Sequence, residues 1–170
     1  CASTAEIQAV MSELQRLDKP YKRLMFAGGG HIGKRVALRL ENNYSVKVIE
    51  KDPKRASKIA AELAKTVVLL GDASDKDMLM NENVDSTDVF CAITNDDEAN
   101  ILSAMLAKKL GARRVMSLIN RSAYADLVES HLVDLVISPQ EATISALLRY
   151  VRRGDVVQVH SLRRGACEAM

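Results

Sequence analysis

The chain has 170 residues, 48% hydrophobic and 27% charged, enough for one ordinary domain around a single core. Its 24 basic and 22 acidic residues leave a formal charge of +2, and it carries no Trp, two Phe and four Tyr, which argues against nucleic acid as a partner. Three scattered cysteines, Cys1, Cys91 and Cys167, argue against a disulfide framework and for a reduced, cytoplasmic setting, and no apolar run reaches the roughly 18 residues of a membrane span.

In chain order, Ile7, Val10, Met11, Leu14 and Leu17 fall on one helical stripe, predicting a helix over 4–17 with Thr4 as N-cap. Asp18-Lys19-Pro20 breaks it, and it either connects from a preceding element or packs on its own domain. No apolar core of a signal peptide stands in 1–18. A strand over 23–27 then runs into Gly28-x-Gly30-x-x-Gly33 and a helix over 31–42, with Val36, Leu38 and Leu40 among its apolar positions. A second strand, 46–50, ends on Glu50. Asp52-Pro53 opens a helix with the acid as N-cap and the proline at its first position, and Ile59, Ala60 and Leu63 supply its apolar face.

A continuous apolar run, 67–70, predicts a strand covered on both faces. Gly71-Asp72-Ala73 closes it, and Asp75 caps a short helix to about Met80. A strand over 89–93 ends at Thr94-Asn95. A helix follows over 97–110, with Ile101, Leu102, Met105 and Leu106 inward and Gly111 as its stop. Strands over 115–119 and 135–137 flank a helix beginning after Arg121-Ser122. Ser138-Pro139 starts a last helix to about Arg152, and 155–162 alternates like a half-buried strand. Six strands alternating with helices imply an α/β fold, a doubly wound, parallel, six-stranded Rossmann sheet with a leading linker helix and a trailing helix.

The glycines carry the chemistry. Gly28 permits a tight turn, Gly30 lets pyrophosphate approach the backbone, and Gly33 lets the helix pack close to the strand. The free N–H groups at the start of that helix suit phosphate. Glu50, 22 residues past Gly28, would take the hydroxyls of an adenine ribose and disfavours a 2′-phosphate, an argument that Lys51 and Lys54 blunt. Ligands of such sheets sit at the carboxyl ends of the strands, which brings further loops within reach. Asp72 either accepts from adenine or ribose or caps its own turn. Asp96 and Asp97 read as an acidic pair at a helix start, leaving Thr94 and Asn95 to face a ligand. Arg121 either meets a phosphate or is a solvated loop arginine. None of His31, His131 and His160 has a carboxylate partner at a recognisable spacing, and no metal-ligand cluster or nucleophile motif is present, so neither catalytic nor metal-binding residues are expected.

The stripe Ile144, Leu147, Leu148 and Val151 is either core or a partner face. Arg149, Arg152, Arg153, Arg163 and Arg164 are either a solvated run or a surface for an acidic or membrane-proximal partner.

Several segments together resemble the RCK or KTN domains, of the TrkA N-terminal type, found in regulatory subunits of Trk potassium uptake. They are 26–33, 48–52, Leu70-Gly71-Asp72-Ala73, the run 92–100 with Thr94-Asn95-Asp96-Asp97-Glu98, Asn120-Arg121 and Val136-Ile137-Ser138-Pro139. The acidic run and the Gly-Asp-Ala turn are more specific than the glycines. The resemblance implies a cytoplasmic subunit, peripheral on the inner membrane face, that binds NAD(H), or ATP or ADP, and controls a membrane potassium transporter or channel subunit by conformational change. It implies a dimer or ring and no enzymatic activity.

By the same resemblance, Gly28, Gly30, His31, Ile32 and Gly33 would meet phosphate, and Glu50 and Lys51 the adenosine ribose. Asp72 and Ala73 would sit near adenine, Thr94, Asn95 and Arg121 at the far phosphate and second ribose, and Glu129 would reach a neighbouring subunit's nucleotide. Leu132-Val133-Asp134 departs from the Gly-Ala-Asp often found there. The expected division is a linker helix 1–19, an NAD(H)-binding Rossmann domain 20–140, a crossover or dimerisation helix 141–154, and the start of a truncated C-terminal subdomain 155–170. The leading helix and absent Met suggest the second of two tandem units. A fragment of an NAD-dependent oxidoreductase, or a ligand-free Rossmann interaction module, are the competing readings.

Overall fold

The computed structural model describes residues 21–121, 123–124, 128, 132–151, 160–162 and 167–169. The expected helix over 4–17 and most of the one after Ser122, with Glu129, His131 and 155–159, lie outside the described residues. So do Arg152, Arg153, Arg163 and Arg164, and the side chains of Arg149 and Val151.

The elements run β1 (Arg23–Ala27), α1 (His31–Leu40), β2 (Ser45–Glu50), α2 (Pro53–Glu62), β3 (Val67–Leu70) and α3 (Lys76–Asn81). After a 3-10 turn (Val84–Ser86) come β4 (Val89–Ala92), α4 (Asp97–Lys109), β5 (Arg114–Leu118), β6 (Leu135–Ile137) and α5 (Pro139–Val151). Strands β1 to β6 form one all-parallel sheet in the order β3-β2-β1-β4-β5-β6. The order reverses beside β1, and there the crevice of a doubly wound sheet opens.

Alternation along β1 builds two cores. Leu24 and Phe26 pack with Ala37 of α1 and Ile59 of α2 on one face. Met25 and Ala27 pack with Leu79 of α3 and with Ala104 and Ala107 of α4 on the other. Small residues join the larger Ile59 and Leu79 where the helices meet the sheet, and this corrects single positions of the expected stripes. In α4 the buried positions are Asp97, Asn100, Ser103, Ala104 and Ala107, while Leu102 is 57% exposed. In the same way Leu38 and Ala60 face outward and Ala37 and Ala56 inward. A small side chain lets the helix axis approach the sheet, and a leucine there would hold it off.

Strand β3 is also not covered on both faces. It is the outermost strand, and Val67 and Leu70 are about half exposed. Helix α4 is stopped as expected: Gly111 takes φ +108°, and its N–H reaches the Lys108 carbonyl at 3.1 Å. Beyond α5, β7 (His160–Leu162) pairs antiparallel with β8 (Cys167–Ala169), a partner too short to leave a periodic signal.

Carboxylates, one buried and one half-buried, fasten the loops. Glu41, at the end of α1, accepts from the N–H groups of Ala64, Lys65 and Thr66 and from the Thr66 hydroxyl. The Lys65 N–H in particular holds its pKa below the usual value. Asp134 accepts from Lys108 Nζ at 2.7 Å and from Val115 N at 2.7 Å, tying the entry of β6 to α4 and β5.

Candidate nucleotide site

A cleft of about 740 Å³ opens at the carboxyl ends of the strands, within the usual size range of a ligand pocket. Gly28, Gly30, His31, Ile32, Glu50, Lys51, Asp72, Ala73, Thr94 and Asn95 all line it, so the structure brings these sequence-predicted residues together. Gly33 packs behind the wall, and Arg121 stands outside the lining.

The glycine loop is shaped by contacts that a side chain would break. Gly28 takes φ +109°, and its N–H donates to the Ile49 carbonyl at 2.8 Å, tying the turn from β1 into α1 to the end of β2. A Cβ on Gly33 would lie 2.0 Å from the Gly28 carbonyl oxygen, so the first turn of α1 rests directly on that turn. A Cβ on Gly30, by contrast, would meet nothing within 4 Å, because that position faces open cleft. Gly29, unassigned by the fingerprint, is constrained more softly, by side chains rather than backbone. Its N–H donates to Glu50 Oε2 at 2.9 Å, and a Cβ there would strike Ile59 Cδ1 at 2.4 Å.

Helix α1 is the anion-binding element. Helices α2, α3 and α4 begin on Asp52, Asp75 and Asp96, whose carboxylates accept their first-turn N–H groups. Helix α1 begins on Gly30 with no side-chain cap and no acid in its first turn. Its leading N–H groups have no intrahelical partner by helix geometry, and they stand in the cleft wall at the positive end of the helix. That is the arrangement a phosphate satisfies. The open Cβ position at Gly30 and this bare helix end fit a pyrophosphate.

Five cations and four acids line the cleft. Lys34 of α1 forms an ion pair with Glu62 of α2 across it. Glu50 is 4% exposed, and its oxygens are engaged by the protein: Oε2 accepts from Gly29 N, Oε1 from Asp52 N at 2.9 Å, and Arg55 Nη1 lies 3.3–3.4 Å from both. The expected ribose acceptor is thus also a strut for the glycine loop. Asp72 closes its own turn by accepting from Ser74 N at 2.8 Å, and it lines the cleft while doing so.

At the β4 end, the Thr94 hydroxyl turns inward, donating to Asn100 Oδ1 at 2.7 Å and accepting from Asp96 N at 3.2 Å. The exposed Asn95 remains the polar side chain facing outward there. Asn100 is fully buried and uses its whole amide. Its Oδ1 also accepts from Thr94 N at 2.8 Å, and its Nδ2 donates to the Thr94 and Leu118 carbonyls at 3.0 and 2.9 Å. It thereby spaces the ends of β4 and β5 under the cleft. In the sequence it stands only as the last residue of the run 92–100, with no role of its own, because its partners are set by the fold.

Asp96 and Asp97 do not act as a pair. Asp96 caps α4, and the Ala99 N–H holds its pKa low. Asp97 is buried and accepts from Asn120 N, Asn120 Nδ2 and Arg121 N at 2.8–3.0 Å, fixing the loop after β5. Burial alone would raise its pKa, but these N–H groups hold it below the usual value. The Arg121 guanidinium meets Glu98 Oε1 at 3.2 Å and the Tyr124 hydroxyl at 2.9 Å. Cys91, on β4, points into the core, where burial pushes its thiol up to about 12, far from the range of a reactive thiolate. Among the described residues, no His, Cys, Asp and Glu cluster could hold a metal ion, and no helix is long and apolar enough to cross a membrane.

The TrkA-N domain family model matches residues 24–139. The chain is 59% identical over 169 residues to the Trk system potassium uptake protein TrkA of Vibrio alginolyticus, covering 99% of this chain and 37% of that protein. Among solved structures it resembles the TrkA-N domain of inner membrane protein ybaL from Escherichia coli (TM-score 0.69, 10% identity, 79% of this chain and all of the other). It also resembles the GsuK channel bound to NAD (TM-score 0.64, 15% identity, 84% of this chain and 27% of the other). At these identities the two structures speak for the fold alone.

Proposed function

The chain belongs to the TrkA-N domain family, and from that premise we propose that it is the nucleotide-sensing part of a regulatory subunit controlling a membrane potassium-uptake system. The chain spans 37% of the length of the relative from Vibrio alginolyticus, whose name is Trk system potassium uptake protein TrkA. The whole protein's role in potassium uptake is taken from that name. The membrane partner, and a place in the cytoplasm peripheral on the inner face of the membrane, are part of the proposal.

The observation that carries the reading is the contrast at the helix starts: α2, α3 and α4 are capped by aspartates, and α1, at the cleft, is not. The ligand this fits is NAD(H), with ATP or ADP sharing the same adenosine diphosphate moiety. Its phosphates would lie against Gly30, His31, Ile32 and Lys34. Its adenosine ribose would lie by Glu50 and Lys51, with adenine by Asp72 and Ala73. Asn95 and Arg121 would meet the far ribose, the arginine after leaving Glu98.

In this reading the residues bind and orient, and the nucleotide acts through differential affinity for two conformations. The solved channel structure similar in fold has NAD bound, which supports the choice of cofactor. The trailing helix α5, with Ile144 and Leu147 more than half exposed, is the face on which a dimer or ring would form. Calorimetric titration of the chain with NADH, NAD, ATP and ADP tests the reading. Saturable binding of at least one, with the nucleotide recovered unchanged, supports it. No binding of any, or turnover that depends on a residue of this chain, overturns it.

A further inference from the structure

The cleft contains one internal occupant of a ligand position. Glu50 offers four acceptor directions, two on each carboxylate oxygen. Two are taken by backbone N–H groups, Gly29 on Oε2 and Asp52 on Oε1, at 2.9 Å each. These donors belong to the glycine loop and to the N-cap of α2, and they cannot leave without unmaking both. The other two face Arg55 Nη1, which lies 3.4 Å from Oε1 and 3.3 Å from Oε2.

The arginine contacts are long, and the Arg55 side chain is half exposed where Glu50 is buried. A second anchor, Arg55 Nη2 to Asp52 Oδ2, is 4.0 Å. The guanidinium is therefore the exchangeable partner. Its single Nη1 faces both carboxylate oxygens, the place where the two hydroxyls of a vicinal diol would each donate to one.

We infer that Arg55 is a specificity-determining residue that stands in for the ribose 2′- and 3′-hydroxyls on Glu50, so that a ribonucleotide must displace it to be read. This rests on the nucleotide reading above and adds to it which part of the ligand meets resistance. Arg55 lowers the weight of the ribose hydroxyls in total affinity without touching the phosphate locus at α1. It also keeps the buried Glu50 charge compensated when no ligand is present. The cost of displacement is that of a half-exposed ion pair.

The test compares ADP with 2′,3′-dideoxy-ADP by calorimetry on the full chain, as wild type, Arg55→Met and Arg55→Lys. The expected result is that Arg55→Met binds ADP about three- to fivefold more tightly, as loss of an exposed ion pair allows. Affinity for the dideoxy nucleotide stays the same, and Arg55→Lys returns to the wild-type ratio. Weaker ADP binding by Arg55→Met, or an equal change for both nucleotides, overturns the inference. A wild-type chain that binds neither nucleotide overturns the nucleotide reading itself, a result distinguishable because no variant enters into it.

Discussion

Two glycines of one loop, opposite in role, make the sharpest prediction: Gly33→Ala should damage the fold, and Gly30→Ala should damage only the site. A Cβ on Gly33 falls 2.0 Å from the Gly28 carbonyl oxygen and 3.1 Å from its carbon, both backbone atoms. Reaching the 3.0 Å that real Cβ atoms respect requires a shift of about 1 Å. The Gly28 turn cannot supply it, because its N–H is held on Ile49 and Thr94 backbone lies behind it. Helix α1 must lift instead, at an overpacking cost of about 1–3 kcal/mol.

Gly30 differs on each count. Its φ of −66° and ψ of −168° suit any residue, and nothing lies within 4 Å of its Cβ position. Its substitution should change stability by no more than about 0.5 kcal/mol, as for an unconstrained surface site. The new methyl would still stand where phosphate approaches α1, weakening nucleotide binding by about tenfold or more. Urea unfolding and calorimetry on both variants provide the assay. A Gly33→Ala chain as stable as wild type, or a Gly30→Ala chain that binds nucleotide unimpaired, would refute the reasoning.

Three further outcomes follow. Asn100→Ala should cost about 2–4 kcal/mol in urea unfolding, because it strands the buried Thr94 N–H and Leu118 carbonyl, whereas a loss under 1 kcal/mol would show that the network is dispensable. Ser117→Ala should be neutral or stabilising by up to about 1 kcal/mol, since the Ser117 hydroxyl is buried without a hydrogen-bond partner, and a clear loss of melting temperature would contradict this. Asp88, Asp97 and Asp134 all have pKa values below their ordinary 3.8. Their contribution is therefore complete above that value and is lost as pH falls through their lower folded values. Unfolding free energy should decline below about pH 4, and Asp97→Asn should flatten the slope; an unchanged slope in that variant would remove Asp97 from the account.

Much of this fold is local chemistry and so was legible. Gly28 and Gly33, the caps Asp52, Asp75 and Asp96, and the stop at Gly111 are each decided by neighbours within a few residues. The cleft's glycine loop belongs with them. What was illegible depends on partners far along the chain. Asp97 looked like a helix-start charge and proved to be the latch on Asn120 and Arg121, 23 and 24 residues away. Glu41 and Asp134 likewise gained their roles only from folded loops. The expected inward stripe of α4 holds for Met105 and Leu106, which pack on the core, and fails at the exposed Leu102, because close approach to the sheet selects Ser103, Ala104 and Ala107 for the buried face. Thr94 faces the cleft in sequence logic, but its hydroxyl is claimed by Asn100. Glu50 was correctly placed at the end of β2, while its occupation by Gly29, Asp52 and Arg55 needed coordinates.

The central claim is that nucleotide phosphate completes the uncapped start of α1. Backbone hydrogen exchange of the chain with and without NADH measures this directly. The account predicts that ligand slows exchange most at His31, Ile32 and Gly33, with weaker protection at Gly29 and near Asp72. Protection confined to α5 or to the α3–α4 face, with the amides of 31–33 unchanged at saturating nucleotide, would contradict it.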